Sequence, residues 1–574
     1  MLIHDCAGDG NVAGVADEFA RNVDVEARDQ GYDYTPLMHA VTSARAGLDM
    51  VRFLLERGAN PNAVRVAKEF QCLECVLSLA VKTGSRDKIA LLLDAGADIR
   101  YERPSRYDVL IDAMHRRNIT RDPELVPILR LLIDRGAKLN TESEHGESAL
   151  SVASRNGRFD AVHVLFDANS DPSPLDWTPL MRAIALGTLA DVRAQLDRGA
   201  DLAARDRWSR TPWLLSLQVG DVPKAKLLLA AGASRQDRGH WGKVPLMYPI
   251  ANGHVAMLQW LLSEGFNPDD ADESKTTPLM EAAEEGAVEC VKVLMEAGAN
   301  IQLENKFEDR AIALASSVDV VHRLVGGGAD LNDINDDVRA ALTKLPNDER
   351  IYVSREEYLA TKHRRFGKSN PETMNYPFWK SMVTAGVSAW FAKDHFDDKE
   401  FKRDEIFCFK RFGKSINELP DGRIIEIAGE HEDYYEPSFC IYNDVIVHHG
   451  DGTFDILGYP KEVFPPTDFH TATLVAKFIY IIGSLGYPRE RRYGATQVHR
   501  LNIETLAIEE VQTSGDNPGW ISSQKATLRG NHEIYIHGGK VGVWNAGAED
   551  YVDNPSEYVL NLDTLVWHKV THTG

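Results

Sequence analysis

Acids and histidines gather in the last third of this chain. Gly429-Glu430-His431-Glu432-Asp433 runs into Tyr434-Tyr435-Glu436, and Asp468 and His470 follow further on. Carboxylate oxygens with an imidazole nitrogen suit a divalent ion. Glu430, His431, Asp433, Asp468 and His470 are therefore candidate metal ligands, and a metal-dependent or enzymatic site would draw on the same residues. Their spacing fits no metal motif, and the favoured reading is a solvated acidic loop whose His and Tyr make structural hydrogen bonds. A third reading is glycan binding, with Tyr434, Tyr435 and Trp544 stacking on sugar faces.

Other chemistry is excluded more directly. Gly-Lys-Ser occurs in Arg364–Ser369 and again in Lys410–Ser415, which invites a phosphate-loop reading. That loop needs a glycine five residues earlier, where Lys362 and Cys408 stand. Cys72 and Cys75 form one CxxC without a second pair, just before a helix, so packing is expected and not zinc. His448-His449 have no carboxylate at ligand spacing, and no Ser or Cys has a nucleophile's context. No cofactor is implied.

The elements that position these residues are repeats. Pro179, Pro212, Pro245 and Pro278 lie 33 residues apart, as do Gly199, Gly232, Gly265 and Gly298. Proline suits a helix's first turn and glycine its left-handed end. Thr178-Pro179-Leu180-Met181, the second apolar face at Val192 and Leu196, and Gly199-Ala200-Asp201 form one unit. It resembles the ankyrin repeat. Copies recur from Thr35-Pro36-Leu37-Met38 to a degenerate Gly328-Ala329-Asp330, about ten over residues 1–336. Met38, Met181, Met247 and Met280 stand where the family has His, so Met packing is expected to replace that residue's hydrogen bond. The resemblance implies protein partners held in a concave groove and on loop tips. The family's contact positions are carried here by Trp177, Arg207, Trp208, Arg210, His240, Trp241 and Lys243. Trp and Arg dominate binding hot spots. The competing reading is that the Trp residues cap neighbouring repeats or touch the second domain.

Residues 337–403 read as a linker with a sealing helix over 371–396, capped by Asn370. From 404 to 574 the pattern alternates, with strands read at 406–409, 423–428, 440–447, 474–482, 498–503, 533–537 and 558–562. Ile427-Ala428-Gly429, Ile481-Ile482-Gly483 and Ile536-His537-Gly538 align at intervals of 54 and 55 residues. Leu501–Leu506 matches Leu560–Leu565, and Gly538-Gly539, Tyr558 and Trp567 complete the last unit. This resembles the kelch motif, which implies four-stranded propeller blades. Three units are recognisable, so a small or incomplete propeller is expected, completed by the 350–370 segment.

The fold class is thus an all-α ankyrin solenoid followed by an all-β kelch-like domain. A formal charge of -22 repels phosphate backbones and acidic lipid surfaces, so neither nucleic acid nor membrane is an expected partner. The N-terminus lacks a signal-peptide pattern and six cysteines are scattered, which suggests a reducing, cytoplasmic setting. The expected function is a protein-interaction scaffold.

Overall fold

The computed structural model describes residues 3–29, 31–67, 72–116, 119–346, 350–398, 405–431, 439–545 and 548–571. The chain divides into two compact units, Met1–Ala311 and Ile312–Gly574.

The first unit is built from helix pairs. Thr178 opens one of them: its hydroxyl accepts from the Met181 amide at 3.2 Å, and Pro179 takes the first turn, where a missing N–H costs nothing. The helix Pro179–Leu186 buries Leu180, Met181, Ala183 and Ile184, and Leu189–Asp197 returns behind it. The same pairing recurs at Pro212–Val219 with Val222–Ala230 and at Pro278–Glu284 with Val288–Glu296. Gly232, which follows the helix Val222–Ala230, sits at φ 100°, a backbone state that a Cβ disfavours. The methionines are buried, and two do more than pack. Met38 Sδ accepts from Thr35 N at 3.5 Å and Met280 Sδ from Thr277 N at 3.4 Å, so the thioether closes the helix cap. One first helix is broken: only Pro245–Met247 forms, as a 3-10 turn, because Pro249 has no N–H and crowds the preceding turn. Cys75 caps the helix Val76–Thr83 through its sulfur.

The loops between pairs keep the period too. Ser209, Gly242, Lys275 and Glu308 all have left-handed backbone, at φ 57°, 72°, 59° and 67°. These are the hairpin tips. Backbone hydrogen bonds join tips to neighbours: Arg207 N to Leu175 O, Glu273 N to Trp241 O and Lys306 N to Ser274 O, at 3.2, 3.1 and 2.9 Å.

Among the described residues the second unit holds three larger sheets, mainly antiparallel, besides a three-stranded sheet (Trp520–Ser522, Lys540–Asn545 and Ala548–Asp553) and a two-stranded one (Glu430–His431 with Cys440–Ile441). The first runs β1 (Ser415–Glu418), β2 (Ile424–Ile427), β3 (Val445–His448) and β4 (Phe454–Gly458). The second runs β5 (Thr471–Val475), β6 (Phe478–Ile482), β7 (Val498–Asn502) and β8 (Ile508–Glu510). The third runs β9 (Lys525–Arg529), β10 (Glu533–His537), β11 (Tyr558–Asn561) and β12 (Val566–Lys569). Gly429, Gly483 and Gly538 follow β2, β6 and β10, all with left-handed φ (93°, 82° and 65°). This is why the 54-residue beat is carried by glycine. β1 packs beside β5, and β5 beside β9.

Several expectations are corrected here. The run 474–482 is two strands, because Ala476 turns left-handed (φ 51°) and reverses the chain between Val475 and Phe478. The run 440–447 also divides, into Cys440–Ile441 and Val445–His448. Asn370 caps no helix. Its side chain donates to Ile508 O at 2.7 Å and accepts from Ile508 N at 2.9 Å, extending β8 as a strand would. The helix of 371–396 is two, Pro377–Ala385 and Ala389–His395, parted at Gly386 (φ 64°). Phe378, Trp379 and Met382 are buried in this unit's core with Phe407 and Tyr442. The 350–370 segment forms no blade: Gly367 N donates to Tyr459 O, and the next residues, Glu372–Thr373, flank β4. The inner strands are bridged instead by residues 330–333. Asn332 Oδ1 accepts from Ile416 N in β1 at 2.8 Å, and Lys525 in β9 lies 3.2 Å from Asp330 and 3.7 Å from Asp333. One short turn thereby satisfies an edge strand and joins the first sheet to the third.

Candidate functional site

The residues expected to meet a partner separate into two groups. Three serve the interior. Trp177 is half-buried against Phe159 and Phe166, each 6.3 Å away centroid to centroid. Trp208 donates its indole N–H to Ser151 O at 3.1 Å, and the guanidinium of Arg155 covers its ring at 5.1 Å. Arg210 does not face a partner. It is 2% exposed and ion-paired with Asp206 at 2.6 Å. It also donates to Ser154 O at 2.8 Å, Ser154 Oγ at 2.6 Å and the Gln218 side-chain oxygen at 2.5 Å. A guanidinium taken out of water needs such partners, and having them it ties one repeat to another.

The second group sits on the hairpin tips. His240 and Trp241 project together, with ring centroids 4.9 Å apart and edge to face. Trp241 is 69% exposed and left-handed at φ 57°. For a large L-residue that state costs roughly 1 kcal/mol or more. Lys243 pairs with Glu281 at 2.6 Å. Arg207 donates to Gly146 O and stays half-buried beside Trp208. Arg205 and Arg238 hold successive tips together. Arg205 donates to Arg238 O at 2.9 Å, and Arg238 to Ala271 O at 2.8 Å.

One tip residue escaped the sequence reading. Phe307 is 76% exposed, and it stands two 33-residue periods after Trp241, at the same position of its hairpin. Reading the period at that position gives Trp208, Trp241, Ser274 and Phe307 in turn. The signal was available, hidden only by a weaker flanking repeat.

Inside the array, contacts span several repeats. Arg121 donates to Ile250 O at 3.1 Å and Ala251 O at 3.2 Å. Asn252 donates to Asn156 O at 3.1 Å, and Gln218 to Arg155 O at 2.8 Å. The ends of the first helices are therefore occupied by the chain's own polar groups, whereas the tips are open.

In the second unit, the acid and histidine candidates are structural in their geometry. Glu430 and His431 form a two-residue strand against Cys440–Ile441. His431 is 2% exposed, and burial pushes its imidazole down to about 4. His470 Nε2 lies 2.8 Å from Ser415 Oγ, and burial pushes it down to about 3. Asp468 is fully buried and accepts from Gly486 N at 2.6 Å and Ser484 Oγ at 3.0 Å. Burial raises its carboxyl above the usual range, and the Glu430 side chain is a further hydrogen-bond neighbour. Asp433, with Glu432, Tyr434 and Tyr435, lies outside the described residues. Among the described residues no three His, Cys, Asp or Glu side chains are placed to hold a metal ion. Trp544 is 60% exposed, 5.7 Å from the Tyr493 ring. Among the described residues no helix is long and apolar enough to cross a membrane.

Comparison with known proteins agrees with this layout. The family model for ankyrin repeats in three copies matches residues 121–206 and 213–305, and the single ankyrin repeat matches 32–65. B-cell lymphoma 3 protein homolog of Mus musculus is 28% identical over 217 residues, 32% of this chain and 46% of its own length. Kelch domain-containing protein 3 of Rattus norvegicus is 29% identical over 109 residues, 18% of this chain and 27% of its own. Ankyrin repeat domain-containing protein 63 of Homo sapiens is 40% identical over 70 residues, 12% of this chain and 18% of its own. The chain thus spans less than half the length of the curated relatives it matches. It carries ankyrin repeats over 32–65, 121–206 and 213–305, and part of it is similar to a kelch domain-containing protein.

Proposed function

We propose that this chain is a protein-interaction scaffold whose docking surface is the row of hairpin tips, with Trp241 and Phe307 as anchors and His240, Lys243 and Arg207 around them. One observation carries the reading: a large aromatic side chain is held in solvent on left-handed backbone, at a cost that packing does not explain. Exposed Trp of this kind gains most by entering a partner's pocket. Trp177 and Arg210 then act as structural supports of the array and not as contacts. A reducing, cytoplasmic setting suits the thiols of Cys6, Cys75, Cys290, Cys408 and Cys440, which form no disulfide among the described residues.

The test is affinity capture on the immobilised full chain, followed by titration of the captured protein. W241A and F307A should each weaken binding by tenfold or more while the melting temperature stays fixed. Undiminished binding by both variants removes the tips as the docking surface.

A further inference from the structure

A polar pocket of about 780 Å³ opens in the C-terminal unit, between the Lys461–Pro466 link, the loop from β6 to β7 and the segment after β8. Small-molecule sites fall within roughly 300–1,000 Å³. Three arginines lie within four residues of that loop. Arg491 anchors it, donating to Leu485 O at 2.8 Å and Gly486 O at 2.7 Å and pairing with Glu549. Arg489 and Arg492 are left at the entrance. Among the described residues the nearest carboxylate to Arg492 is Glu510, at 3.9 Å, and the Arg492 side chain is 78% exposed. Arg489 is exposed and makes no ion pair among the described residues. The same wall carries Glu462, Glu490 and Glu510, but Glu490 is paired with Lys461, and with Lys461, Arg489, Arg491 and Arg492 the lining holds more cations than carboxylates.

The wall adds an independent sign. His499 lines the pocket, is 4% exposed and packs edge-on to Phe464 at 5.4 Å. Among the described residues its Nδ1 has no hydrogen-bond partner. A buried ring nitrogen left in that state is costly unless something entering the pocket meets it. Burial, with Arg492 nearby, pushes the imidazole down to about 4, so the ring is neutral at pH 7.

We infer that this pocket binds a small phosphate-bearing ligand, with Arg489 and Arg492 clasping the phosphate and His499 Nδ1 meeting a polar group on the remainder. Guanidinium forks match phosphate oxygens, and one dianion neutralises both arginines, whereas a monocarboxylate neutralises one. The test is calorimetric titration of the full chain at constant ionic strength with inorganic phosphate, glucose 6-phosphate, glucose and acetate. Saturable binding of phosphate or its ester is expected, with none for glucose or acetate. R489Q/R492Q should weaken it at least tenfold at an unchanged melting temperature, since Arg491 still anchors the loop. H499Q should weaken the ester more than inorganic phosphate. Absence of saturable phosphate and ester binding overturns the inference, as does equal binding of acetate or undiminished binding by R489Q/R492Q.

Discussion

Replacing Arg210 by Met separates a structural arginine from a docking one. The guanidinium pairs with Asp206 at 2.6 Å, and the Asp206 side chain is 0% exposed. Methionine keeps much of the bulk but leaves that carboxylate without its cation. Backbone donors from Trp208 and Arg210 remain, at 3.0 and 2.9 Å. Ser154 O and the Gln218 side-chain oxygen each lose a donor as well. Breaking a buried pair from one side costs about 3–5 kcal/mol. That is a large part of a typical domain's stability. The loss should show first where Arg210 and Gln218 reach Ser154 and Arg155, at the ends of helices Ala149–Arg155 and Pro212–Val219. Urea unfolding gives the magnitude, and hydrogen exchange on those helices gives the place. D206N/R210M, which removes both charges, should recover about half of the loss. W241A, at an exposed site, should change stability by less than about 0.5 kcal/mol. If R210M costs under about 1 kcal/mol, the guanidinium is not holding the repeats together and the division of the tip residues made above is wrong.

Two more outcomes follow from the second unit. His431, His470 and His499 are held neutral at about 4, 3 and 4, below an unfolded value near 6.5, so their contribution is complete above pH 6.5 and falls as pH drops toward 4. At pH 5 each should have lost roughly 1–2 kcal/mol. Urea midpoints at pH 7.5 and 5.0 measure this, H470Q should flatten the slope, and equal midpoints would refute it. At Gly539, φ is 73° and an added Cβ would meet Ser522 O at 2.4 Å. G539V should therefore destabilise the turn that follows β10 by at least about 2 kcal/mol, read as a lowered melting temperature, and an unchanged one counts against the turn as described.

The repeats were legible because they are local. Thr-Pro-Leu places a cap, a first turn and a core residue within three positions, and the terminal glycine answers a backbone need that no neighbour can change. The kelch-like glycines were legible for the same reason, since Gly429, Gly483 and Gly538 are left-handed. The hairpin at Ala476 was not, because a non-glycine residue makes a turn that Gly or Asn ordinarily announces. Arg210 carried a local hint, the Asp206 pair four residues away, but its burial depends on Ser154, 56 residues distant. The bridging role of Asn332 was invisible for a related reason: its partner in β1 is 84 residues on. Glu430 and Asp468 do come together, yet with a backbone donor and the Ser484 hydroxyl, and no spacing rule could tell that arrangement from a ligand set.

The central claim is that the hairpin tips, and not the ends of the first helices or the outer helices, meet a protein partner. Photo-crosslinking tests it most directly, with benzoylphenylalanine placed singly at Trp241, at Ser274 and at exposed Arg193 on the outer helix Leu189–Asp197. The account predicts that positions 241 and 274 trap the same protein, that 193 traps none of it, and that F307A reduces trapping at 274. Equal trapping at 193, or trapping at 274 that F307A leaves untouched, would contradict it.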